Sequence, residues 1–154
     1  MIDKIYNFFN NQNFTISVCE SITGGALSHK LISRAGSSKF FKGSVVVYND
    51  EIKSKILDID LKKIKKFSAV SKEISYEMAK SVKKIFNTDF SISTTGNAGP
   101  LNYDDLSKTG QVFITIITPH STLSKEYYLI DNRSKNIQNT VNFALEFLYE
   151  SLKK

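Results

Sequence analysis

The sequence predicts an α/β fold: a three-layer α/β/α sandwich around a mixed, mainly parallel five-stranded sheet, formed by a single domain over residues 1–154. Three observations carry this. Runs with period-2 alternation are interleaved with runs of helical period. The first three strand-like runs each end in a polar or glycine-containing turn. The last two are separated by Pro119-His120-Ser121-Thr122, a hairpin turn, so that pair is antiparallel.

In chain order, Ile2, Ile5, Tyr6 and Phe9 recur at helical spacing and predict an opening amphipathic helix that stops near the polar residues 10–13. Phe14, Ile16 and Val18 alternate with Thr15, Ser17 and Cys19, a strand leading into Glu20-Ser21-Ile22-Thr23-Gly24-Gly25. A helix over residues 24–33 buries Leu27, Leu31 and Ile32 and ends at Ala35-Gly36. Phe40-Phe41 anchors a short loop or single helical turn. Residues 43–48 read as a strand, and four consecutive large apolar residues there predict burial on both faces.

Asn49 or Asp50 caps a short helix carrying Ile52, Lys53, Ile56 and Leu57. Residues 60–67 are lysine-rich and expected to be exposed. Ser71 caps the next helix, with Ile74, Met78, Val82 and Ile85 as its buried stripe. A strand with Phe90, Ile92 and Thr94 on one face breaks at Gly96-Asn97-Ala98-Gly99-Pro100. A polar loop over 101–109 leads to strands at 110–118 and 123–130, and a helix over 134–152 closes the chain.

With 41% hydrophobic and 23% charged residues the composition is that of a globular protein. No basic segment precedes a long apolar run at the start and no stretch approaches a membrane span, so the expected location is cytoplasmic, away from membranes. The single cysteine, Cys19, precludes an internal disulfide, and His29 and His120 are too scattered for a metal cluster; no metal and no cofactor are expected. The net charge of +6 suits either nucleic acid or small anions. Its lysines fall in doublets (Lys62-Lys63, Lys65-Lys66, Lys83-Lys84, Lys153-Lys154) without interleaved exposed aromatics, a pattern of solvated surface more than of a nucleic-acid face.

If the first three strands run parallel, their carboxyl ends bring Glu20–Gly25, Tyr48-Asn49-Asp50 and Thr95–Gly99 to one crevice, where ligands collect in α/β sheets. Ser21 lies at a strand-to-helix turn, where free N–H groups at Thr23-Gly24-Gly25 and the helix dipole suit a phosphate or an oxyanion. A serine at that position also serves as an ordinary helix cap. A serine hydroxyl attacks only when a neighbour takes its proton, and a lysine takes it only when its pKa is brought down. With neither histidine in these turns, Lys53, 32 positions after Ser21, is the available base, or else one more exposed helix lysine. Cys19 is the rival nucleophile, although alternation places it in the core.

Glu20-Ser21-Ile22-Thr23-Gly24-Gly25, Gly36-Ser37-Ser38, Gly43 with Tyr48-Asn49-Asp50-Glu51-Ile52-Lys53, Ala69-Val70-Ser71 and Thr95-Gly96-Asn97-Ala98-Gly99-Pro100 together resemble, in order, the motifs of the CinA C-terminal domain family. That family includes stand-alone nicotinamide-nucleotide amidases. The resemblance implies hydrolysis of the carboxamide of nicotinamide mononucleotide to nicotinic acid mononucleotide and ammonia, with Ser21 as nucleophile, Lys53 as base and Thr95 as a hydroxyl beside them. It further implies that Ser38 and Tyr48 line the pocket, that Gly96, Asn97, Ala98 and Gly99 lie against a small nucleotide substrate, and that Arg133 closes the site. Homo-oligomers are common in the family, and Phe40-Phe41 is a candidate exposed contact. In place of the family's further glycines after Pro100, this chain has Leu101-Asn102-Tyr103-Asp104-Asp105, whose acids would repel a nearby phosphate. The alternative reading is a non-catalytic nucleotide-binding or competence- and DNA-damage-associated interaction module.

Overall fold

A computed structural model describes residues 1–153; Lys154, the second lysine of the C-terminal doublet, lies outside the described residues. Helix α1 (Ile2–Gln12) buries Ile5, Tyr6 and Phe9 and ends at Asn13, whose left-handed backbone (φ 55°) stops it. The chain continues through strand β1 (Ile16–Glu20), helix α2 (Ala26–Leu31), a 3-10 turn (Ser37–Lys39), strand β2 (Phe41–Val46) and helices α3 (Asp50–Leu57), α4 (Leu61–Phe67) and α5 (Lys72–Phe86). Strands β3 (Phe90–Gly96), β4 (Gln111–Ile117) and β5 (Thr122–Tyr128) follow, and helix α6 (Arg133–Ser151) ends the fold.

The five strands lie in the order β2-β1-β3-β4-β5. β2, β1 and β3 are mutually parallel, while β4 is antiparallel to both of its neighbours, so β5 points the same way as the first three. From β1 the chain therefore moves to one side for β2 and returns to the other for β3. That reversal opens a crevice at the carboxyl end of β1, the place where doubly wound sheets bind ligands.

Period-2 alternation sorts the sheet residues between two faces. Ile16, Val18, Phe90, Ile92, Val112, Ile114 and Ile116 pack with α1, α2 and α6 in the larger apolar core. On the opposite face Cys19 and Val47 meet Leu57, Ile64, Ile74, Met78 and Val82 of α3, α4 and α5. That second face is lined with hydroxyls: Ser75 of α5 hydrogen-bonds Ser93 at 3.0 Å and Thr115 at 2.8 Å. Small paired side chains let α5 seat closely across the middle of the sheet.

Asn49 and Ser71 cap α3 and α5 as the sequence predicts, accepting from the N–H of Ile52 and Ile74. Several expectations are corrected. Residues 43–48 do not form a strand covered on both faces: β2 is the sheet edge, with Val46 46% and Tyr48 59% exposed. Residues 60–67 form helix α4, capped by Asp60 and anchored by the buried Ile64. Ile85 lies outside the buried stripe of α5, at 49% exposure. Helix α2 begins at Ala26, because Gly24 and Gly25 adopt left-handed conformations (φ 56° and 102°) in the preceding turn. Phe40 is buried and Phe41 half-buried, so that pair is not an exposed contact.

Candidate active site

Ser21 follows the last residue of β1, and its N–H donates to Thr94 O (3.0 Å) of β3, which fixes the turn to the neighbouring strand. The turn is clamped from beneath by Glu20. Its side chain is fully buried and accepts from the N–H groups of Gly25 (3.0 Å), Leu27 (3.1 Å) and Ser28 (2.9 Å), and from the Ser28 hydroxyl. A carboxylate satisfied by the first N–H groups of a helix is favoured by both the hydrogen bonds and the helix dipole.

This clamp moves the candidate oxyanion donors. The Gly25 N–H is taken by Glu20 and the Gly24 N–H by Ser21 O, whereas the N–H groups of Ile22 and Thr23 meet no protein acceptor among the described residues. The free donors therefore sit immediately after the serine. Thr23 Oγ1 is paired with Thr94 Oγ1 at 2.7 Å, which locks the second of them to β3. Thr23, Gly24 and Gly25 shape the turn but do not line the cavity.

Lys53 enters from α3. The preceding strand β2 ends level with β1, Glu20 pairing with Val46, and α3, packed against α4 and α5, starts four residues later, so the Lys53 side chain reaches the end of β1. Lys53 is 1% exposed, with Nζ 3.3 Å from Ser21 Oγ and 3.4 Å from Tyr48 O. Burial pushes its pKa below the ordinary 10.5, against opposing pulls from Asp50 and Cys19. Its place near the amino end of α3 adds to the destabilisation of a positive charge. A lysine so placed has the geometry to accept a proton from the serine.

Cys19, two residues from Ser21 and on the α5 face, is fully buried. Burial pushes its thiol well above the ordinary range, beyond what Lys53 restores, so it stays protonated and is not a nucleophile. Thr95 Oγ1 donates to Ala69 O (2.7 Å), leaving its lone pairs toward the cavity that Ser21 and Lys53 share.

The cavity has a volume of about 180 Å³ and is lined by Ser21, Ile22, Tyr48, Lys53, Thr95, Gly96, Asn97, Ala98, Tyr103 and Arg133, among others. This is small beside typical ligand clefts of ~300–1,000 Å³, so it holds a ring-sized group and leaves the rest of a larger ligand at the mouth. Gly96 is required by space: a Cβ there would lie 2.7 Å from Val112 Cγ2 and 2.9 Å from Ile22 Cδ1. The loop beyond it is tied down by α6. Asn136 Nδ2 donates to Ala98 O (3.1 Å), and Arg133 donates to Gly99 O (2.9 Å) and to the Tyr48 hydroxyl (2.6 Å), bridging two walls at the mouth. Ser38 sits exposed on the 3-10 turn and does not line the cavity of a single chain.

The remaining wall comes from residues 101–109. Tyr103 lines the cavity and donates its hydroxyl to Asp50 Oδ1 at 2.5 Å. Asp104 turns away into its own loop, accepting from the N–H groups of Leu106 (3.0 Å) and Ser107 (2.8 Å), and is not part of the cavity lining. Asp105 likewise does not line the cavity. Glu20, Tyr103 and Asn136 had no assigned role in the sequence; for Glu20 the available signal was an acid five to eight positions before the first helical N–H groups. No group of three or more His, Cys, Asp or Glu side chains placed to hold a metal lies among the described residues, and no helix there is long and apolar enough to cross a membrane.

Comparison with known proteins places this geometry in a family. The model of the CinA C-terminal domain matches residues 1–152. A CinA-like protein of Flavobacterium psychrophilum is 44% identical over 143 residues, covering 93% of this chain and 34% of that protein. A putative competence-damage inducible protein of Clostridium novyi is 36% identical over 142 residues, covering 92% of this chain and 34% of that protein. The chain thus spans about a third of the length of these curated relatives. Among solved structures, the competence damage-inducible protein A of Klebsiella pneumoniae superposes with a TM-score of 0.94 at 25% identity, covering 99% of this chain and 94% of that one. A competence or damage-inducible protein of Enterobacter asburiae does so with 0.94 at 28% identity, covering 98% and 95%. The chain belongs to the CinA C-terminal domain family.

Proposed function

We propose that this domain is an amidohydrolase acting on the carboxamide of nicotinamide mononucleotide through a Ser21–Lys53 dyad. The observation that carries the proposal is the buried Lys53 Nζ 3.3 Å from Ser21 Oγ, with its pKa lowered by burial. As Ser21 Oγ attacks the amide carbon, Lys53 takes the hydroxyl proton, and the N–H groups of Ile22 and Thr23 meet the developing oxyanion. The C–N bond then breaks, and the Lys53 ammonium returns its proton to the leaving nitrogen, which departs as ammonia. Water attacks the resulting Ser21 ester with Lys53 again as acceptor, releasing the carboxylate and regenerating the serine.

The cavity holds the pyridine ring, walled by Tyr48, Gly96, Asn97 and Ala98, with Gly99 outside the lining, and Thr95 orients the amide. The ribose and phosphate lie at the mouth. There Arg133 uses two of its guanidinium N–H groups on protein acceptors and keeps others for a phosphate. No cofactor enters this mechanism. Ammonia release from nicotinamide mononucleotide by the purified protein tests the reading: turnover by the native chain with loss of at least a thousandfold in Ser21→Ala and in Lys53→Met is expected, of the order that removing a nucleophile or its base costs. Turnover that survives both substitutions, or nucleotide binding without any turnover, would contradict it.

A further inference from the structure

Asp50 and Lys53 lie one turn apart on α3, and Asp50 is the nearest carboxylate on the helix that delivers the base. Unconstrained, a carboxylate three positions before a lysine on a helix turns toward it. Here it is held elsewhere. The phenol of Tyr103, reaching across from the 101–109 loop, donates to Asp50 Oδ1 at 2.5 Å, while among the described residues Lys53 Nζ has only Ser21 Oγ and Tyr48 O as partners. Burial, reinforced by the Asp50 hydrogen bond and by the charges of Asp50 and Asp104, pushes the Tyr103 phenol well above its ordinary range, so it remains a donor wherever the enzyme works.

We propose that Tyr103 is a positioning residue for the base: by holding the Asp50 carboxylate out of direct contact with Lys53, it limits the stabilisation that charge gives the Lys53 ammonium and so keeps Lys53 available as a proton acceptor.

The other groups facing Lys53 leave Asp50 as the adjustable one. From β1 come Ser21 and the protonated Cys19; from β3 comes the neutral Thr95; from the start of α6 comes Arg133, fixed on Gly99 O and the Tyr48 hydroxyl. Glu20 is turned toward the amino end of α2. Glu20 is held by backbone N–H groups and the Ser28 hydroxyl beneath the serine turn, whereas Asp50 shares a helix with Lys53 and takes a hydrogen bond from the cavity-lining Tyr103. The inference deepens the Ser21–Lys53 reading and rests on it for its catalytic meaning, but the electrostatics are measurable without turnover.

The test is an NMR titration of protein labelled with ¹³C at the lysine ε-carbon, the Lys53 resonance being assigned from its absence in Lys53→Arg. Tyr103→Phe keeps the ring and removes only the hydroxyl. It should raise the Lys53 midpoint by about half a pH unit to one unit, part of the ~1–3 units an opposite charge within ~4–6 Å exerts. Asp50→Asn should lower the midpoint below the native value, and Asp50→Asn/Tyr103→Phe should coincide with Asp50→Asn alone. In the activity arm, the acidic limb of kcat/KM should move with the NMR midpoint in each variant. A Lys53 midpoint unmoved by Tyr103→Phe, or a shift that persists undiminished in the Asp50→Asn background, overturns the proposal. A protein that titrates as expected yet releases no ammonia would instead count against the proposed function alone.

Discussion

Replacing Glu20 with Gln tests how the serine turn is held. The native carboxylate accepts three backbone N–H groups and the Ser28 hydroxyl in a site without solvent access. The least damaging placement of the glutamine puts its NH₂ group toward Ser28, whose hydroxyl can rotate to accept, and its oxygen toward Gly25 and Leu27. That leaves the Ser28 N–H buried and unpaired, at about 1–3 kcal/mol, and removes the charge assistance from the other two bonds, at about 0.5–1 kcal/mol each. The expected loss is about 2–5 kcal/mol. With a urea slope of roughly 1–3 kcal/mol/M, the unfolding midpoint should fall by on the order of 1–2 M. Amide exchange at Gly25, Leu27 and Ser28 should accelerate more than at α5, and Ser28→Ala should lose only about 1 kcal/mol. A midpoint within about 0.3 M of native, with unchanged exchange at these amides, would refute the claim that Glu20 holds the turn.

Gly96→Ala forces a Cβ against Val112 and Ile22 and should destabilise by about 1–3 kcal/mol; because Ile22 carries an oxyanion donor, kcat should fall at least about tenfold with KM less affected, and unchanged kinetics would remove Ile22 from the site. Lys53 binds fewer protons folded than unfolded between its lowered folded pKa and 10.5, so stability should rise with pH through that window. Lys53→Met should abolish that rise and be more stable than native at neutral pH, which paired urea titrations at several pH values would show. Cys19 should react with a thiol reagent only at the rate of unfolding; rapid modification of the folded protein would contradict its burial.

Much of the site was legible because its residues sit at strand ends, whose location follows from topology. Once three parallel strands are inferred, Ser21, Tyr48 and Thr95 must face one crevice, and Lys53 lies one turn into the helix after the second strand. Caps at Asn49 and Ser71 were legible because they act within four residues. What escaped the sequence depends on neighbours distant in the chain. Val45-Val46-Val47-Tyr48 has the composition of a central strand, and only the order of the sheet makes it an edge. Helix α4 buries only Ile64, too little for a periodic stripe. Tyr103 reaching 53 positions to Asp50 is a tertiary event without a local signature, whereas Glu20 meets the start of α2 within eight positions and left a weak local signal.

The central claim is that Ser21 carries the acyl group. Rapid quenching of the protein with nicotinamide mononucleotide, followed by intact-mass measurement and peptide mapping, tests it most directly. The account predicts a transient ester on the peptide containing Ser21, formed in step with one equivalent of ammonia and absent in Lys53→Met. Ammonia released with no adduct at Ser21 under any quench time, or an adduct at Cys19, would contradict it.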